Sequence, residues 1–99
     1  MKLSGFREST TYSRKFDNLD PNQQNRVNST RKKLVRSIID AKTPADIPQP
    51  LNRPSNTKPF RRSQVDRDIR IYWWIDENRV LVFHDICNHK QAREYLDVR

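Results

Sequence analysis

The stretch IRIYWWIDENRVLVFH, residues 69 to 84, decides how the rest of the chain is read. Ile69, Ile71, Trp73 and Ile75 alternate with Arg70, Tyr72 and Trp74. That two-residue period belongs to a strand with one face on a core. Asp76, Glu77 and Asn78 make a turn, and residues 79–84 read as a second, central strand. An earlier strand over about residues 60–65 pairs with the first, giving a three-strand meander. Side chains of a strand alternate between its faces. If the isoleucines and Trp73 pack on helices, Arg70, Tyr72 and Trp74 turn to the other face. A cation between two aromatic rings suits phosphates and stacked bases better than a core.

Upstream the pattern is helical. Leu3 and Phe6 sit in a short opening strand, then Tyr12, Phe16 and Leu19 recur at helical spacing, with Thr10 or Thr11 as the cap. Asp20-Pro21, with Gln23 three residues after the Asp, starts a second and longer helix. Val27, Leu34, Val35 and Ile38 share one of its faces, with Arg31 on the same stripe; Arg26, Lys33 and Arg36 lie opposite, facing either RNA or solvent. Residues 42–59 hold Pro44, Pro48, Pro50, Pro54 and Pro59, five of the six prolines, and form a loop pinned by Ile47 and Leu51. Asn88 caps a short C-terminal helix. The expected fold is α+β, one domain over residues 1–99: a helical hairpin packed on a small, twisted, mainly antiparallel four-stranded sheet, with a short C-terminal helix.

Composition narrows the function. Ninety-nine residues, 33% of them hydrophobic, leave one small core, so a protein partner that covers apolar surface is expected. Twenty Lys and Arg against 12 Asp and Glu give a net charge of +8, and the pI is near 10.2. Such a balance favours a polyanion as partner. Cys87 is the only cysteine, which fits a reducing compartment and a buried structural thiol. No apolar signal region stands at the N-terminus, and no apolar run approaches ~20 residues, so a cytoplasmic protein without a membrane span is expected.

Several residues carry candidate chemistry. Lys58, Arg61 and Arg62 approach Arg70 from the preceding strand, and guanidinium groups offer phosphate a planar fork of donors. The competing reading pairs them with Asp66, Asp68 or Asp85 across the sheet. His89 can exchange a proton near neutral pH, and Lys90 beside it can stabilise a phosphorane-like charge. Read without its neighbours, the pair is a helix start facing solvent. Tyr95 is either a phenolic donor at the site or a helix anchor. Trp73 and Trp74 face opposite ways, and Trp74 and Tyr72 are candidate stacking platforms. His84 ends an apolar strand and reads as structural. His84, Cys87 and His89 match no standard zinc spacing and lack a fourth ligand, so no metal is expected. There is no glycine-rich phosphate loop, since Gly5 is the only glycine, and no Ser-His-Asp signature.

The order of elements resembles the RelE/ParE toxin superfamily. RIYWWIDENRVLVF, residues 70 to 83, is similar to that family's arginine-led hydrophobic strand, acidic turn and valine-rich strand. TYSRKFDNLDPNQQNRV, residues 11 to 27, resembles its first helix, break and second helix, and NHKQAREYL, residues 88 to 96, its closing basic, tyrosine-bearing tail. The RelE branch implies a toxin of a type II toxin-antitoxin system. Its activity would be a ribosome-associated endoribonuclease that cuts mRNA, restrained by a cognate antitoxin and using no metal or small-molecule cofactor. By the resemblance, Arg61, Arg70, His89, Lys90 and Tyr95 are the catalytic set, and Lys58, Arg62, Tyr72 and Trp74 bind RNA. The next basic position of the family falls on Ser63, with Arg62 as substitute, and Tyr95 stands one residue earlier than the family's tyrosine. Arg61 and Arg70 would stabilise the phosphate, Lys90 would help electrostatically and His89 would move the proton. Two other functions share the features: a ParE-like gyrase inhibitor that cuts nothing, and a non-catalytic RNA-binding relic.

Overall fold

Two side-chain caps organise the helical half. Ser9 caps α1, Thr10–Asp17, where the Tyr12 backbone N–H donates to Ser9 Oγ at 3.0 Å. The cap falls before both expected threonines because Ser9 is also tied to the sheet: its backbone N–H donates to the Phe83 carbonyl at 3.0 Å and its hydroxyl to the His84 carbonyl. Asp20 caps α2, Pro21–Asp40, with a full capping box. Its Oδ1 accepts from the Gln23 N–H at 2.8 Å, and Gln23 Oε1 accepts from the Asp20 N–H at 3.1 Å. Pro21 sits at the first helical position, where no N–H is needed. The computed structural model describes residues 1–49 and 51–95. Pro50 of the proline-rich loop and Leu96 of the tail lie outside the described residues.

The helices cover one face of a mixed sheet of five strands, β1 (Gly5–Glu8), β2 (Arg53–Pro54), β3 (Arg61–Gln64), β4 (Arg70–Ile75) and β5 (Val80–Cys87), in the order β1-β5-β4-β3-β2. The α+β architecture with its helical hairpin and meander is as expected, but the sheet has five strands, not four. The addition is the two-residue β2 inside the proline-rich loop. Pro54 is tolerated there because β2 is an edge strand, which needs fewer backbone donors. β1 runs parallel to β5, and every other pairing is antiparallel. In the β4–β5 turn, Asp76 Oδ1 accepts from the N–H groups of Asn78 and Val80 at 2.8 and 3.0 Å. Among the described residues the C-terminal element, expected as a helix, is a 3-10 stretch, Gln91–Tyr95, capped by Asn88 as the sequence suggests.

Between helices and sheet lies the main core: Tyr12, Val27, Leu34 and Ile38 against Ile69, Ile71, Trp73, Leu81, Phe83 and Ile86. Arg31, which interrupts the apolar stripe of α2, stays at its margin. It pairs with Glu8 and lays its guanidinium 4.1 Å from the Phe83 ring centre. Arg26, on the other side of α2, pairs with Asp66 at 3.2 Å.

The register of β3 on β4 sorts the basic residues. Directly paired residues share a face. Arg61 pairs with Trp73 and Ser63 with Ile71, so both lie on the helix side; Arg62 pairs with Tyr72 and Gln64 with Arg70, so these lie on the outer side. Ser63 is fully buried, accepting from Trp73 Nε1 at 2.9 Å and donating to the Leu51 carbonyl at 2.5 Å. It thereby ties the proline-rich loop to the core. Ser63→Ala leaves the indole N–H and that carbonyl without partners, and should cost about 1–3 kcal/mol in urea unfolding.

Candidate functional site

The outer face is where the sequence places its chemistry, and a register shift shapes it. Tyr72 pairs with Asp85 but Trp73 pairs with Phe83, so His84 is an extra residue on β5. This bulge breaks the strand's alternation. Asp85, sharing the row of Tyr72, faces outward, yet it is buried because the C-terminal segment folds over it.

That burial is compensated on every side. Asp85 Oδ1 meets Lys15 Nζ of α1 at 2.8 Å and accepts from the Ile86 N–H, and Oδ2 accepts from the Tyr95 hydroxyl at 2.7 Å. Tyr95 stacks on Tyr72 with ring centres 4.0 Å apart and meets Phe60 edge-on; Phe60 in turn stacks on His84. The result is a second, smaller core of Tyr72, Cys87, Ala92 and Tyr95 with Phe60 against it. Burial, then the hydrogen bond to the Asp85 carboxylate, makes the Tyr95 hydroxyl a much weaker acid than a free phenol. Burial opposes the charge on Lys15 more than any single contact favours it, but the hydrogen bond to Asp85 and the attraction of the neighbouring acidic groups together outweigh it and raise its affinity for the proton.

Two expectations change here. Tyr72 was to be a base-stacking platform; it is fully buried beneath Tyr95. Tyr95 was a candidate catalytic residue; its hydroxyl is committed to Asp85, and it serves as the anchor of the C-terminal segment.

What remains on the outer face is a smaller group, a buried arginine with exposed basic residues beside it. Arg70 opens β4 on the outer face with 1% of its area exposed. Its Nε donates to Gln64 Oε1 at 3.3 Å, and its Nη2 lies 3.5 Å from His89 Nδ1. Arginine offers only donors, so this contact selects the tautomer in which Nδ1 accepts and Nε2 carries the hydrogen. His89 is exposed, and its backbone N–H donates to Asp68 Oδ1 at 3.3 Å, which ties the start of the tail to the β3–β4 hairpin. Lys90 follows it, also exposed. Arg62 and Arg53 share the outer row beside Tyr72. Trp74 is half-buried opposite Val82 on the same face, and Lys58 stands exposed ahead of β3.

Arg61 does not join this group. It was expected beside Arg70, but its place is the helix side of β3, where its Nε donates to Asn52 Oδ1. A shift of one residue along a strand exchanges faces, so Arg62 and not Arg61 shares the face of Arg70. Sequence reading missed Gln64 and the Lys15–Asp85 pair, and it weighed Asp68 and Asp85 only as cross-strand partners of the arginines. Of these, only Asp85 left a signal, as a charge inside the apolar run of β5.

The cysteine and histidines are apart in role. Cys87 is buried, 4.0 Å from Lys15 Nζ; His84 stacks on Phe60; His89 meets Arg70. Among the described residues no three His, Cys, Asp or Glu side chains converge as a metal site. No described helix is long and apolar enough to cross a membrane. Comparison with protein-family models, curated proteins and solved structures finds no match to this chain.

Two measurements check this description. Burial first, and then the neighbouring Asp85 charge, push the Cys87 thiol up to about 12, with Lys15 opposing. At pH 8 it is therefore a neutral thiol. Iodoacetamide should label it only when denaturant is added, and rapid labelling of the folded chain would contradict this. Tyr95→Phe keeps the ring stack but strips Asp85 of one partner. It should lower unfolding stability by about 1–3 kcal/mol in a urea titration.

Proposed function

We propose that this chain is a toxin of the RelE/ParE kind, an endoribonuclease that cuts mRNA on the ribosome and is held in check by an antitoxin in the cytoplasm. One observation carries the reading: Arg70, buried on the face away from the helices, with Nη2 3.5 Å from the exposed His89. A preset guanidinium beside an accessible imidazole, on a chain of net charge +8, suits a phosphodiester. The order of strand, helical hairpin and antiparallel meander agrees with what the resemblance implies, and so supports it.

The chemistry proposed is attack of an RNA 2′-hydroxyl on its adjacent phosphorus. A bond forms from that oxygen to phosphorus and the bond to the 5′ oxygen of the next nucleotide breaks, leaving a 2′,3′-cyclic phosphate and a 5′-hydroxyl. Such a step needs a base for the 2′ proton, charge stabilisation at the phosphorane and a proton for the leaving oxygen. Arg70 supplies the charge, with Lys90 and Arg62 as outlying cations. His89 supplies the leaving-group proton from Nε2 as an imidazolium, a state in which Nδ1 also carries a hydrogen and gives up its contact with Arg70. Removal of the 2′ proton falls to a group outside this pair. Tyr95 and Arg61, committed elsewhere in the fold, take no part.

The antitoxin part of the proposal has its own support. Phe6 and Ile39, each 53% exposed, lie in a groove of about 790 Å³ that Arg31, Lys32, Lys33 and Arg36 also line. An apolar floor with a cationic rim suits an acidic, amphipathic partner.

Primer extension on mRNA after induction tests the nuclease. The native chain should produce new 5′ ends, His89→Ala should reduce them ~10²–10⁴-fold, and Arg70→Lys, with folding checked by circular dichroism, should reduce them sharply because one ammonium replaces the planar fork of donors. Intact mRNA with trapped gyrase-DNA complexes would favour the gyrase inhibitor. Intact mRNA with no effect on growth would favour a non-catalytic RNA binder.

A further inference from the structure

We propose that the Arg70–His89 contact is a proton-controlled latch on the phosphate site, so that a phosphodiester and a proton bind together; this rests on the RNA reading above. Arg70 is 1% exposed, so a phosphate cannot meet its guanidinium while the present contacts stand. Gln64 and His89 both lie against that group, at 3.3 Å from Nε and 3.5 Å from Nη2. Gln64 is half-buried within β3, whereas His89 is exposed. Of these two, the imidazole stands on the solvent side.

The chemistry of the two groups makes this contact sensitive to charge. A guanidinium offers only donors, so it holds His89 Nδ1 only while that nitrogen keeps its lone pair. An imidazolium carries a hydrogen on both nitrogens and has no lone pair to accept with. It also sets a second positive charge against the first. At 3.5 Å the contact is at the long limit of hydrogen bonding, so little holds the ring once its charge changes. The backbone stays in place meanwhile. Asp68 Oδ1 accepts from the His89 N–H at 3.3 Å, and Asp66 Oδ1 accepts from the N–H groups of Asp68 and Ile69, both at 2.8 Å. The exposed ring is left to swing about its own bonds.

The charges around His89 decide which state prevails. Arg70 from β4 and Lys90 beside it in the chain oppose the imidazolium, and Asp68 from the β3–β4 hairpin favours it. A phosphodiester in the site adds a negative charge, which answers Arg70 and attracts a protonated ring. The bound state therefore favours the imidazolium more than the free state does. By linkage, binding takes up a proton. Binding is strongest at a pH where the free imidazole is already protonated, and it weakens as the pH rises until neither state holds the proton. The imidazolium so formed is the acid required at the leaving oxygen.

A short oligothymidylate is the probe. Its phosphodiesters do not titrate near neutrality, and without a 2′-hydroxyl it is not cut. Calorimetric titration of the full chain at about pH 7, in two buffers of different ionisation enthalpy, counts the protons. The native chain should take up a substantial fraction of one proton, and its Kd should rise by up to about tenfold per pH unit between about pH 6 and pH 8. His89→Gln should bind with no proton uptake and a flat pH profile. Nitrogen NMR of the free native chain at about pH 8 should find the His89 hydrogen on Nε2. No uptake by the native chain, equal uptake by His89→Gln, no binding of the oligothymidylate, or a hydrogen on Nδ1 in the free chain would overturn the latch. The two proposals fail separately. RNA cleavage without proton-linked binding sinks the latch and spares the nuclease. Proton-linked binding by a chain that cuts nothing does the reverse.

Discussion

A single buried carboxylate fixes the working face of this protein. Asp85 lies on the sheet surface away from the main core, and water is excluded from it by the C-terminal segment. A carboxylate in that setting is tolerated only with its charge and lone pairs answered. Lys15 answers from α1 and Tyr95 from the tail. The Asp85 side chain therefore joins the first helix, β5 and the C-terminal 3-10 stretch. Its position depends in turn on the extra residue at His84, which breaks the period of β5.

This tie has a functional consequence. Tyr95 is anchored, Asn88 caps the stretch before it, and His89 between them lies against Arg70. Asp68 holds the same residue from the hairpin side. The phosphate-binding candidates are thus positioned by interactions that belong to the fold, which is how a rigid scaffold presents a loop residue for chemistry. The same aromatic cover that holds Tyr95 removes Tyr72 from the surface, so the outer face is not an open aromatic sheet.

Much of this was legible in the chain. The alternation of Ile69 to Ile75, the Asp20-Pro21 start of α2, the acidic turn at Asp76 and the Asn88 cap are local signals, and each holds. What was not legible depends on contacts distant in sequence. Whether Arg61 or Arg62 shares the face of Arg70 is set by a one-residue choice of register, which composition does not encode. The two-residue β2 is hidden among prolines because its partner, β3, makes it a strand. Ser9 replaces the threonines as cap through its bonds to β5. Tyr72 looks exposed by alternation, and only the return of the tail shows otherwise. Asp85 alone gave warning, as a charge in an apolar strand.

In the proposed reaction a guanidinium and an imidazole on this face drive internal attack within RNA. End-group analysis of RNA cut by the purified chain on translating ribosomes tests it most directly. Internal attack leaves 2′,3′-cyclic phosphates on the upstream fragments and 5′-hydroxyls on the downstream ones. Fragments bearing 5′-phosphates, or RNA that stays whole, would contradict it.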